Sequence, residues 1–132
     1  MDTDDPGWSI WVESSDEIGG GEWLWVEERM TELLRGHDQH TLFVQGCVRN
    51  QVNFYDRFDA VVLLSAPAEI ILERIARGRT NDYGKLPAER DLTLHHLATV
   101  EPLLRASCTH ELDASRPLDE VVDTVMEISQ TV

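Results

Sequence analysis

Residues 60–78 read A-V-V-L-L-S-A-P-A-E-I-I-L-E-R-I-A-R-G, and this stretch decides the class of fold. Ala60, Val61, Val62, Leu63 and Leu64 are apolar on both faces and rich in β-branched side chains, the pattern of a parallel strand covered by helices on both sides. Ser65, Ala66 and Pro67 end the run. Ile71, Leu72, Ile75 and Ala76 then fall at helical spacing, and Gly78 stops the helix. Further along, residues 79–86 read as an exposed loop with Asn81, Asp82 and Gly84. Pro87 suits the first turn of a longer helix reaching about Ala106, with Leu97, Val100 and Leu104 on one face and a kink at Pro102. Residues 109–113 form the last strand candidate, and Leu118, Val121, Val122, Val125 and Met126 mark a closing amphipathic helix.

Upstream the pattern is less regular. Leu42, Phe43 and Val44 have strand length and end at Gly46, and residues 50–59 mix aromatic and charged side chains without period. Trp23, Val26, Met30, Leu33 and Leu34 predict a helix that Gly36 ends. Residues 1–22, with the run Gly19, Gly20, Gly21, read as a loop anchored by Trp8, Ile10 and Trp11. Strand and helix alternate, so the expectation is an α/β chain with a mainly parallel sheet.

A chain of 132 residues and 15.0 kDa has the size of one domain. No apolar run approaches the ~20 residues of a membrane helix, so no membrane partner is expected. The formal charge of −14 argues against a broad basic face for nucleic acid. Up to residue 41 the only cations are Arg29 and Arg35, which confines any anion pocket to the later arginines. Cys47 and Cys108 are too few for a disulfide scaffold and too far apart for a zinc knuckle. The acidic start lacks the cationic and apolar regions of an export signal, and a cytoplasmic location is the expectation.

Taken in order, D-T-D-D, E-W-L-W-V-E-E-R, F-V-Q-G-C-V-R-N-Q-V-N-F-Y-D-R-F-D, V-V-L-L-S-A-P, L-E-R-I-A-R-G-R-T-N-D-Y-G-K, V-E-P-L-L-R and H-E-L-D-A-S-R-P-L-D-E-V-V resemble the bacterial small P-loop kinases of the shikimate kinase and nucleoside monophosphate kinase type. The likeness spans nearly all of residues 1–132. It implies a three-layer α/β/α domain without the family's first βα unit, and a lid at about residues 79–90. The implied activity is ATP-dependent phosphoryl transfer, with Mg²⁺, to a small hydroxyl- or phosphate-bearing acceptor.

One departure limits this. The family's phosphate cradle, a glycine-rich loop ending in lysine, precedes the D-T-D segment. Lys85, the sole lysine, follows Gly84, but Arg79 and Leu86 stand where the loop pattern needs glycine and a hydroxyl. After Gly19, Gly20 and Gly21 come Glu22 and Trp23, which suit no phosphate. Two expectations stay open. Either the full product carries the loop upstream of Met1, or the chain is without transferase activity and is a small-molecule-binding or dimerisation module. Leaving out a central strand exposes pairing groups on both neighbours, which a second copy or a reordered sheet must satisfy.

By the resemblance, Asp2 and Asp4 hold Mg²⁺ or accept a hydrogen bond from the substrate hydroxyl; the alternative is a solvated acidic terminus. A calcium loop through Asp2, Asp4, Gly7 and Glu13 is disfavoured because Pro6 takes a ligand position. Gly46 and Arg49 follow a strand end, where open α/β sheets bind ligands, and the resemblance has them touch the acceptor; a tight turn and a surface arginine are the plain alternative. In the cationic cluster of Arg74, Arg77, Arg79, Lys85 and Arg90, the resemblance makes Arg79 the lid arginine, while Arg105 is the second phosphate-facing one. Ser115, Arg116 and Pro117 lie in the connection that lines adenine in related kinases. Adjacent His95 and His96 face different directions and carry no metal pattern.

Overall fold

The computed structural model describes residues 1–13, 21–36, 40–78 and 85–132, and the chain divides into two compact units, Met1–Asp59 and Ala60–Val132.

In the first unit, strands β1 (Ser9–Glu13) and β2 (Gly21–Trp25) form an antiparallel pair, with Trp11 opposite Trp23. This corrects the loop expected for residues 1–22 at Ser9–Glu13 and at 21–22, with 14–20 outside the described residues, and it corrects the helix expected from Trp23. Ile-Trp-Val and Trp-Leu-Trp consist, Leu24 apart, of β-branched and aromatic side chains, which favour a pleated pair. The rings of Trp11 and Trp23 meet edge to face at 5.7 Å. Helix α1 (Glu27–Arg35) begins only after Val26, whose N–H donates to the Trp8 carbonyl. Its first turn carries Glu27 and Glu28 and its last Arg35, the order the helix dipole favours.

Leu42, Phe43 and Val44 are not in a strand. Parallel pairing here is limited to an isolated bridge between Asp2 and Gln45. Gln45 N–H donates to the Met1 carbonyl and Thr3 N–H to the Gln45 carbonyl, while the Met1 ammonium reaches the Phe43 carbonyl. A 3₁₀ helix, Arg49–Arg57, follows. Its Asn50 side chain closes on the Trp25 backbone, accepting from N–H at 3.0 Å and donating to C=O at 3.1 Å. Trp25, Met30 and Phe54 are the buried centre, with Leu33, Leu34, Val44 and Val48 packed around them.

The second unit carries strand β3 (Val62–Ser65), helices α2 (Ala68–Arg77), α3 (Pro87–Thr99) and α4 (Glu101–Ser107), strand β4 (His110–Asp113) and helix α5 (Leu118–Thr131). β3 and β4 pair in parallel from Val62 opposite His110 to Ser65 opposite Asp113. The long helix expected through Ala106 is two helices meeting at Val100. Pro102, in the first turn of α4, cannot supply the N–H that a continuous helix needs, so the break falls just before it. On α5, Val121 is buried.

The chain is therefore mixed α/β, with one parallel and one antiparallel sheet of two strands each among the described residues. No described helix is long and apolar enough to cross a membrane.

Candidate functional site

Parallel strands bring their carboxyl ends to one edge, and the loops that leave them shape a cleft there. In the second unit this cleft holds about 590 Å³, between the exit of β3 at Ser65, Ala66 and Pro67, the residues Glu101 and Arg105 of α4, and Glu111, Asp113 and Ser115 of β4 and its exit. Alternation along β4 puts Glu111 and Asp113 on one face, and α4 presents Arg105 to Glu111.

Arg105 is gripped from two sides. Its Nε donates to Glu111 Oε1 at 2.8 Å and its Nη2 to Glu111 Oε2 at 3.0 Å, a two-pronged contact; Nη2 also meets Glu101 Oε1 at 2.7 Å. Ser65 Oγ donates to the same Glu111 carboxylate at 2.7 Å. The Arg105 guanidinium and then Ser65 hold the Glu111 carboxyl below its ordinary range, and Glu111 foremost pushes the Arg105 value up. Next to it, Asp113 Oδ1 accepts from the Ser115 hydroxyl at 2.5 Å and the Ser115 N–H at 2.9 Å, which lowers the Asp113 carboxyl.

Of the predicted residues, Arg105 and Ser115 line this cleft. Arg116 turns to α5, donating to the Glu120 carbonyl at 3.1 Å and Thr124 Oγ1 at 2.9 Å, and Pro117 caps that helix. Arg79 lies outside the described residues, as does the rest of the first half of the expected lid, 80–84; Lys85, which follows, donates to the Gly78 carbonyl. Ser65, Glu101 and Glu111 were not singled out by sequence, although Glu101 and Arg105 stand at the i,i+4 spacing of a helical ion pair.

In the first unit, Asp2 Oδ1 accepts from Asp4 N–H at 2.9 Å and Asp2 Oδ2 from Gln45 Nε2 at 2.9 Å. The two acids are thus joined through backbone, with Asp4 exposed. Gly46 is packed against Thr3: a Cβ there would lie 2.0 Å from Thr3 Oγ1 and 3.3 Å from Trp25 Nε1. Arg49 pairs with Glu22, at 2.5 Å from Nη2, and the pair lowers the Glu22 carboxyl. The packing of Gly46 and the ion pair of Arg49 each give these residues a structural use.

Among the described residues no three His, Cys, Asp or Glu side chains come together as a metal site. Asp2 and Asp4 do not fit Mg²⁺ as a self-sufficient set. Glu101, Glu111 and Asp113 outnumber Arg105 in the cleft, so a phosphate group entering it meets three carboxylates and has to displace Glu111 from the guanidinium. Cys47 and Cys108 are unbridged; Cys47 is exposed as a residue, and partial desolvation of its sulfur pushes its thiol up. Comparison with protein-family models, with curated proteins and with solved structures gives no match.

Proposed function

We propose that the chain is the acceptor-handling part of a phosphotransferase of the small P-loop kinase type, on a three-layer α/β/α plan, and that it does not transfer phosphate by itself. The observation that carries the reading is Arg105, held at the carboxyl ends of two parallel strands in a two-pronged contact with an oxyanion. The Glu111 carboxylate occupies the seat that two phosphate oxygens take on a guanidinium fork. Phosphate binding on this reading is an exchange, in which Glu111 retains its hydrogen bond from Ser65 and gives up Arg105. The parallel pair β3–β4 suits a parallel sheet that has further strands. ATP and Mg²⁺ belong to the family reading. The described residues form no cradle for either, so no step is assigned to them.

Calorimetric titration with inorganic pyrophosphate tests the reading. Binding is expected in the wild type and lost in Arg105→Gln. Absent binding, or binding that survives the substitution, overturns it. A second reading, a non-catalytic binding or dimerisation module, is favoured by the three hydrogen bonds that already satisfy Arg105, and predicts no pyrophosphate binding.

A further inference from the structure

Strand β1 has one edge paired with β2 and, among the described residues, no strand on its other edge. The alternation of an antiparallel ladder settles which groups face outward. Val26 N–H bonds to the Trp8 carbonyl at 2.8 Å, so this pair belongs to the ladder, whereas the N–H and C=O of Trp25 turn outward to Asn50. Counting back along the register, Ser9, Trp11 and Glu13 direct their backbone groups away from β2. On the β2 edge Asn50 satisfies Trp25; on the β1 edge no partner for these groups exists among the described residues. The side chains are open too: Ile10 is 54%, Trp11 47%, Val12 40% and Trp23 57% exposed. A lone two-stranded pair is marginal in water, and an open apolar edge is a template for another strand.

We infer that β1 pairs antiparallel with β1 of a second copy of this chain, about a two-fold axis beside Trp11, making a four-stranded sheet. The sequence of the strand names the occupant, because Ser-Ile-Trp-Val-Glu is its own antiparallel complement. With Trp11 opposite the partner's Trp11, Ser9 falls opposite the partner's Glu13 and Ile10 opposite the partner's Val12. The outward backbone groups of Ser9, Trp11 and Glu13 then meet the same groups of the other copy in hydrogen-bonding register. The intervening Ile10 and Val12 take the closely spaced positions that reward apolar contact. Glu13 is the strand's one charge and faces a serine, so like charges do not oppose each other in the ladder. Such an interface is isologous, and it closes at two copies. The acidic excess of each copy opposes association at a distance, so added salt strengthens this dimer and weakens a complex with a basic partner. The inference is independent of the phosphate reading.

Sedimentation of the full chain tests it with two double variants, Ile10→Lys with Val12→Lys and Ile10→Glu with Val12→Glu. Wild type is expected to be dimeric, more so in salt, and each variant monomeric, with an equimolar mixture of the two variants dimeric again. A monomeric wild type, a variant that still dimerises, or a mixture that stays monomeric overturns the inference. In the wild type alone, hydrogen exchange at the Trp11 amide slows as protein concentration rises through the transition; exchange independent of concentration also overturns it. A dimer weakened by salt overturns the assignment as well.

Discussion

Gly46→Ala tests whether the loop after Gln45 is shaped by packing. The new methyl carbon would stand 2.0 Å from Thr3 Oγ1 and 3.2 Å from Thr3 Cβ, and Thr3 is 1% exposed, so the threonine has nowhere to retreat. Relief means turning the hydroxyl away, which breaks its 2.9 Å hydrogen bond to the Gln45 carbonyl. Overpacking of this kind costs about 1–3 kcal/mol and the lost bond about 1 kcal/mol, so the variant is expected to lose about 2–4 kcal/mol of stability. Urea unfolding followed by tryptophan fluorescence reads the loss. Thr3→Ala removes the oxygen that the methyl meets, so the double variant should be more stable than the sum of the two single losses, by about 1 kcal/mol or more. A Gly46→Ala variant as stable as wild type, or strictly additive losses, refutes the reasoning.

Met30→Ala empties the centre of the Trp25–Phe54 cluster, where Met30 is fully buried, and is expected to cost about 2–5 kcal/mol in the same unfolding assay. Glu22, Glu111 and Asp113 have carboxyls held below their ordinary range by Arg49, Arg105 and Ser115 respectively. A lowered folded value means stability that is present above the unfolded value and lost as pH falls through the folded one. The urea midpoint should therefore drop on acidification, and Glu111→Gln should flatten that acid limb; an unchanged acid limb in the variant counts against the Arg105–Glu111 contact.

The second unit was the more legible in sequence. β3 ends in Ser-Ala-Pro, α2 ends at Gly78, and α5 carries a regular apolar stripe, so pattern and punctuation agreed at each boundary. The hairpin was hidden because β1 is exposed from Ile10 to Glu13 and β2 buries only Trp25, at its end, so neither strand carries a clean alternation of apolar and polar residues. Trp23, Val26 and Met30 also share a helical spacing that the fold uses only from Glu27 onward. Leu42, Phe43 and Val44 have strand composition, but residues 1–3 offer them only a bridge's length of ladder. At the site, Arg105 was picked out by the resemblance of V-E-P-L-L-R to the small kinases and not by its charge or spacing. That Glu111 sits against it depends on the short turn from α4 into β4, whose geometry the residue pattern does not announce.

The central claim is that the cleft above β3 and β4 receives phosphate oxygens on Arg105. Backbone amide shifts of the isotope-labelled chain during pyrophosphate titration test it most directly. The account predicts saturable shifts gathered at Ser65, Ala66, Arg105, Glu111 and Ser115, together with a guanidinium signal that moves as Glu111 is displaced. Saturable shifts that leave those residues untouched, or none at any concentration, would contradict it.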